Sequence, residues 1–181
     1  MVERSAVTHP PPQQIVEFAA RTVDQVRATL DVELGYDSET LPIVDHYLRS
    51  VPRDQNATVL LIAATAGAYF GEVVRQVLGG RWEVDEASPM SARLILSWGL
   101  SFSPTGIVAA AIMSSDEVEH VDTGFHVPSP LRSHLQQTLE RMSPVTDEEY
   151  YSLCGRFDTL EHLQEVVLAI IARERAKRAS D

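Results

Sequence analysis

The stretch Gln55–Leu78, QNATVLLIAATAGAYFGEVVRQVL, followed by Gly79-Gly80-Arg81-Trp82-Glu83-Val84-Asp85, decides the fold. Pro52 and Asp54 break the chain before it, and the glycine pair ends it, because glycine enters left-handed backbone without a Cβ penalty. The apolar run Ala57 to Gly71 contains threonines and small residues and stops at Glu72, short of the roughly 20 residues that a bilayer crossing takes. It therefore reads as a helix buried in a core. Ala63, Gly67 and Gly71 lie four apart and form a smooth groove on one face, where another backbone can approach closely. Two mid-helix glycines cost about 1 kcal/mol each relative to alanine, which close packing or a ligand must offset.

Beyond the glycines, Arg81 to Asp85 and Ala92 to Trp98 are short runs rich in branched and aromatic residues, separated by a Ser88-Pro89 turn. They predict two antiparallel strands. Gly99 bends or bulges the chain before a third strand, Leu100 to Ser103, which ends where Pro104 would interrupt a sheet ladder. Ile107 to Met113, with three consecutive alanines, predicts a helix. A long buried helix followed by a small meander gives an α+β class, helix-rich, with an antiparallel sheet of about three strands.

Towards the N-terminus, Ile15, Phe18, Ala19, Val23, Val26 and Leu30 recur at threes and fours and predict a helix over Gln13 to Leu34, ended by Gly35. Residues 1 to 12, with Pro10, Pro11 and Pro12, read as a flexible arm. Asp37 or Ser38 caps a second helix, Glu39 to Ser50, with Pro42 in its first turn. Towards the C-terminus, residues 114 to 128 read as a loop with a short edge strand at Phe125 to Val127. Ser129-Pro130 opens a helix to Met142. Thr146 with Glu149 fits a capping box, and Asp158 with Glu161 marks the start of a last helix, Thr159 to Arg178, whose apolar stripe should pack on the body. Residues 13 to 181 are expected to form a single globular domain.

The 181 residues are 44% hydrophobic and 23% charged, which suits a folded chain. The formal net charge of −11 opposes binding to phosphate backbones or anionic lipid, so neither nucleic acid nor membrane is an expected partner. One cysteine, Cys154, cannot make an internal disulfide, and no apolar h-region opens the chain, which points to the cytoplasm. Arg173, Arg175, Lys177 and Arg178 end the last predicted helix, where cations oppose its macrodipole.

No G-x-S-x-G, P-loop or G-x-G-x-x-G occurs in the sequence. No cofactor, metal or catalytic residue is assigned. Glu119, His120, Asp122 and His126 carry donor atoms suited to a metal, but not at the spacing of a rigid helical pair. Asp45 and His46 are adjacent on a helix and point apart, as a surface polar pair would. Cys154, beside Leu153 in an apolar-aromatic stretch, reads as a buried core thiol. Two constellations mix rings with charge: Tyr69, Glu72 and Arg75 with Trp82 nearby, and Tyr150, Tyr151, Arg156 and Asp158. Tyr69, Glu72, Trp82, Tyr150, Tyr151 and Arg156 are the candidate binding residues; the alternative is that these groups cover the core or pair locally.

The segments Gly67-Ala-Tyr-Phe-Gly-Glu-Val73, Gly79-Gly-Arg-Trp82, Leu100-Ser-Phe-Ser-Pro-Thr-Gly106 and Tyr150-Tyr-Ser-Leu-Cys-Gly-Arg-Phe-Asp-Thr-Leu160 resemble stretches of an uncharacterised family of small bacterial proteins. The resemblance spans roughly residues 35 to 170 and implies no activity, cofactor or catalytic residue. The expectation is a non-enzymatic protein-binding module, an adaptor, regulatory subunit or immunity-type protein, whose acidic surface meets a basic protein partner. The alternative is a small enzyme or ligand-binding protein whose pocket assembles in the fold around Tyr69, Glu72 and Trp82. A homo-oligomer joined through exposed aromatic or helical surface is the third reading.

Overall fold

The computed structural model describes residues 10–85 and 88–179. Helix α1 spans Gln13–Leu30, α2 Leu41–Leu48, α3 Asn56–Leu78, α4 Pro104–Met113, α5 Arg132–Arg141, α6 Asp147–Tyr151 and α7 Leu153–Arg178. The strands are β1 (Gly80–Asp85), β2 (Ser88–Leu96), β3 (Ser101–Phe102) and β4 (Phe125–His126). They form a four-stranded antiparallel sheet in the order β1-β2-β3-β4. The fold is therefore α+β and helix-rich, with one strand more than the expected three. The fourth is the short edge strand expected at Phe125 to Val127, formed over Phe125–His126, where Phe125 pairs with Phe102 and meets its ring edge-on, 5.5 Å between centroids.

Helix α3 runs through the centre, packed between α1 and α4 and touching the sheet. By length and composition alone it could cross a bilayer, yet 72% of its most apolar window is buried inside the fold. Glu72, where the apolar run stops, is itself buried, and the helix ends at Leu78 as expected. The glycines of α3 are explained by packing. A Cβ at Gly67 would lie 2.7 Å from the Thr105 backbone nitrogen and 2.8 Å from the Pro104 carbonyl carbon, so α4 rests directly on the bare backbone. A Cβ at Gly71 would fall 2.3 Å from Cη2 of Trp82, so the other end of the groove is filled by an indole from β1.

The strands alternate as a half-covered sheet should. Ala92, Leu94 and Leu96 are buried, while Arg93 and Ile95 between them are half-buried. Gly99, at φ 98°, closes the tight connection to β3, where the Leu96 N–H donates to the Leu100 carbonyl at 2.8 Å. The turn expected at Ser88-Pro89 is not there: both residues belong to β2, and the connection at 86–87 lies outside the described residues, as does most of the expected N-terminal arm.

Several element ends differ from the sequence reading. Helix α1 stops at Leu30 because Asp31 adopts the left-handed conformation, φ 56°, four residues before Gly35. Asp37 does cap, accepting from the Thr40 N–H at 3.1 Å, but one turn of 3-10 helix precedes α2, which stops at Leu48. Helix α5 likewise begins at Arg132, after a 3-10 turn over Ser129–Leu131. The largest difference is α7. It starts at Leu153, capped by the Ser152 hydroxyl, which accepts from the Gly155 N–H at 2.9 Å, and Asp158 lies inside it. Gly155 is a packing glycine: its Cβ would sit 2.1 Å from the Glu149 carbonyl oxygen. The apolar stripe of α7 packs on the body as far as Ile171, and the turns from Ala172 onward are exposed.

Candidate functional site

The first constellation folds into a closed cluster. Arg75 grips Glu72 with two parallel bonds, Nε to Oε1 at 2.8 Å and Nη2 to Oε2 at 2.9 Å. The Trp82 indole N–H donates to the same Oε1 at 2.6 Å. Glu72 and Arg75 are both buried, and the paired carboxylate raises the Arg75 pKa further, so the charge is fixed. Trp82 crosses from β1 because it also fills the space above Gly71. Tyr69 does not join this group. Its hydroxyl donates to the Gly35 carbonyl and bonds with Thr40, its ring leans on Tyr36 at 5.2 Å, and burial pushes its phenol up to about 12. The gap between Trp82, Gly67 and Phe18 measures only about 10 Å³, smaller than a ligand needs.

The second constellation stays half open. Thr146 caps α6, accepting from the Glu149 N–H at 3.3 Å, and the Ser152 cap turns the chain sharply into α7. That corner places Tyr150 and Tyr151 edge-to-face, 4.9 Å between centroids, with Arg156 beneath them. The guanidinium lies 4.1 Å from the Tyr150 ring, 5.7 Å from Tyr151 and 5.8 Å from Phe125 of β4. Asp116 binds the assembly from the 114–124 loop: Arg156 Nη2 donates to Oδ1 at 3.0 Å and the Tyr150 hydroxyl to Oδ2 at 3.2 Å. Arg156 is 7% exposed and its Nε has no hydrogen-bond partner among the described residues, whereas Tyr150 is 42% exposed. Asp158 points away from this group, on the exposed side of α7. Leu139, Met142 and Val145, all exposed, lead along the chain to Tyr150, and the acidic run Asp147, Glu148 and Glu149 lies between Val145 and Tyr150 in sequence.

Sequence reasoning missed two further groups. Asp45, read as half of a surface polar pair, is buried and accepts from the Leu153 and Cys154 N–H groups, at 2.7 and 3.2 Å, at the start of α7. His46 beside it is exposed. The periodicity of α2 carried the signal, since Asp45 falls between buried Val44 and Tyr47. Partial burial and a hydrogen bond with Asp45, together with the charges of Asp45 and Asp158, push the Cys154 thiol up to about 12. Cys154 is half-buried rather than fully enclosed.

On the other side of the sheet, Asp122 Oδ2 accepts from Arg93 Nη1 at 2.6 Å and contacts His126 Nε2 at 2.7 Å. Burial alone would raise this carboxyl, but hydrogen bonds from Arg93, the Gly124 N–H and His126 hold it below the usual carboxylate range. Gly106 explains the loop's position, since a Cβ there would overlap the Asp122 carbonyl oxygen at 1.8 Å. Asp122 and His126 thus meet, while among the described residues no group of three or more His, Cys, Asp or Glu is placed to hold a metal. Arg93, Asp122, His120, Thr105 and Leu60 border an open cavity of about 280 Å³. A second cavity, about 250 Å³, lies between Arg49, Arg53, Ser114, Glu148 and Tyr151, where Arg49 pairs with Glu148 at 3.0 Å.

No protein-family model, curated protein or solved structure matches this chain.

Proposed function

We propose that this chain is a non-enzymatic protein-binding module of the cytoplasm, an adaptor, regulatory subunit or immunity-type protein, whose partner offers a basic segment with apolar side chains. The observation that carries the reading is the α5–α6 surface. Tyr150 stands over Arg156 in a rigid cation-aromatic stack and remains 42% exposed, next in sequence to exposed Val145 and the Asp147-Glu148-Glu149 run. Tyrosine held in place by a buried arginine contributes contact area at little entropic cost on binding, and tyrosine and arginine are over-represented where binding energy concentrates. The carboxylates around it, and the −11 charge of the chain, favour a basic partner and speed its encounter.

The test is affinity purification from the native host with the full chain as bait, beside the Val145→Asp and Tyr150→Ala baits. A stoichiometric partner rich in Lys and Arg should be retained by the wild type and reduced about tenfold or more by either substitution, in line with hot-spot losses. Recovery of no stoichiometric partner, or equal retention by all three baits, overturns the reading.

A second reading, binding of a small molecule, is favoured by the cavity at Arg93. Thr105 lines it, is only 7% exposed, and its hydroxyl makes no hydrogen bond to the described residues. The Arg93 guanidinium and the Thr105 hydroxyl on its walls suit a small acid whose body lies on Leu60 and Val121. This cavity does not include the α5–α6 residues, so the Val145 and Tyr150 variants leave it intact.

A further inference from the structure

Along α7, Glu161, Glu165, Leu168, Ala172, Arg175 and Ala179 follow at alternating steps of four and three, which places them in one stripe. All six are exposed, and Leu160, Leu163 and Val167 occupy the opposite, buried side. The stripe is graded in charge. Its first turns carry Glu161 and Glu165, with Asp158 beside them. Its centre is the exposed Leu168 with Ala172, and its last turns carry Arg175 beside Lys177 and Arg178. Asp158, Glu161, Arg175 and Arg178 make no ion pair among the described residues, and Glu165 reaches only His162, at 4.0 Å.

A helix graded in this way is complementary to itself when reversed. About a two-fold axis at Leu168, Glu161 faces Arg175 of a second copy and Asp158 faces Arg178, because each pair is equally distant from position 168 in sequence. Leu168 then meets its own counterpart, and Ala172 lets the two backbones approach. A parallel pairing would set acid against acid and base against base. The antiparallel one also opposes the two macrodipoles favourably.

We propose that α7 is an isologous interface through which two copies of this chain pair antiparallel, centred on Leu168. The stretch from Asp158 to Arg178 is about 30 Å long, so each copy's projecting end lies along the exposed side of the other's anchored half. Two helices alone make a smaller interface than the standard size for stable complexes, which sets the expected dissociation constant in the order of ten to one hundred micromolar. The surface is separate from the one at Val145 and Tyr150, so the pairing and the partner reading fail independently.

Sedimentation velocity from roughly 1 µM to roughly 500 µM tests it, spanning the expected constant. The wild-type mass should climb from 20.0 kDa towards twice that value. Glu161→Arg and Arg175→Glu should each weaken self-association about tenfold or more, because each sets like charges opposite one another at both ends of the pair. A mixture of these two single variants should associate again as a heterodimer, since every facing pair is then of opposite sign, and the double variant E161R/R175E should recover wild-type behaviour. Unchanged helicity by circular dichroism shows that the variants are folded. A wild type that stays monomeric across the range, single variants that associate as the wild type does, or a mixture that fails to associate would each overturn the proposal.

Discussion

Two clusters in this molecule are assembled from the same kinds of side chain, an arginine, a carboxylate and aromatic rings, and they end in different states. Around Glu72 both carboxylate oxygens are spent inside. Arg75 is three residues away on the same helix, Trp82 arrives from the next strand to donate to the same carboxylate, and the indole closes the glycine groove. Around Arg156 the carboxylate comes instead from a loop forty positions away and is itself half-exposed. The rings stack over the guanidinium without bonding it, and Nε is left without a partner among the described residues. A charge paired within its own helix can be buried completely, whereas one that waits for a loop remains at the edge of the fold, where a partner can reach its rings.

If that contrast is right, the largest effect belongs to the closed cluster. Glu72→Ala leaves the Arg75 guanidinium charged, buried and unpaired and strips the Trp82 N–H of its acceptor, so it should cost about 3–5 kcal/mol in urea denaturation. Pairing Glu72→Leu with Arg75→Met should return most of the loss, because removing both charges removes the desolvation cost as well. A single-variant cost under about 1 kcal/mol, the scale of an exposed ion pair, would show that water reaches the pair and would erase the distinction between the two sites.

The half-open cluster should respond less. Arg156→Leu gives up an ion pair to a carboxylate already in contact with water and three cation-ring contacts, but it also removes an unsatisfied buried nitrogen. The balance is a loss of about 1–2 kcal/mol by the same measurement. A cost equal to that of Glu72→Ala would mean that the two arginines hold the fold in the same way, and that Tyr150 belongs to the core rather than to a surface.

The core was more legible in the sequence than the site, for reasons visible in particular residues. The limits of α3 and the presence of β1 and β2 follow from local patterns, because the apolar run, the glycine pair and the branched residues act within one element. The groove of Gly67 and Gly71 was legible too, but not that a helix would fill one end and a tryptophan the other. The start of α7 was hidden because Asp158 with Glu161 mimics a helix start, and the reason for Gly155 before it, a carbonyl six positions earlier, exists only once α6 has formed. Tyr150, Tyr151 and Arg156 were singled out by composition and do converge. Phe125 and Asp116, which complete the cluster, are brought by a loop whose path no periodicity encodes. Tyr69 was grouped with Glu72 by helical spacing, and its hydroxyl instead turned to the Gly35 carbonyl.

Cys154 supplies the finest test, at the corner where the half-open cluster joins the core. A thiol in the first turn of a helix is ordinarily acidified by the unpaired N–H groups there. In α7 the Asp45 carboxylate accepts from two of those groups, and its charge with partial burial drives the thiol the other way, up to about 12 against an ordinary 9.0. The folded protein should therefore react with iodoacetamide at pH 8 at least about tenfold more slowly than the urea-unfolded chain, because the thiolate is the nucleophile and an upward shift of one unit already removes nine-tenths of it. The same shift has a sign for stability. Between pH 9 and 12 the unfolded chain has released the thiol proton that the folded chain still holds, so stability falls as pH rises through that window and is unaffected by this group below it. Asp45→Asn keeps an oxygen acceptor for one of the two α7 N–H groups while removing the charge, and should speed alkylation of the folded protein several-fold with little change in its helicity. If the rate did not move, burial alone would be setting the thiol, and the helix start would be as closed as the Glu72 cluster rather than intermediate between the two.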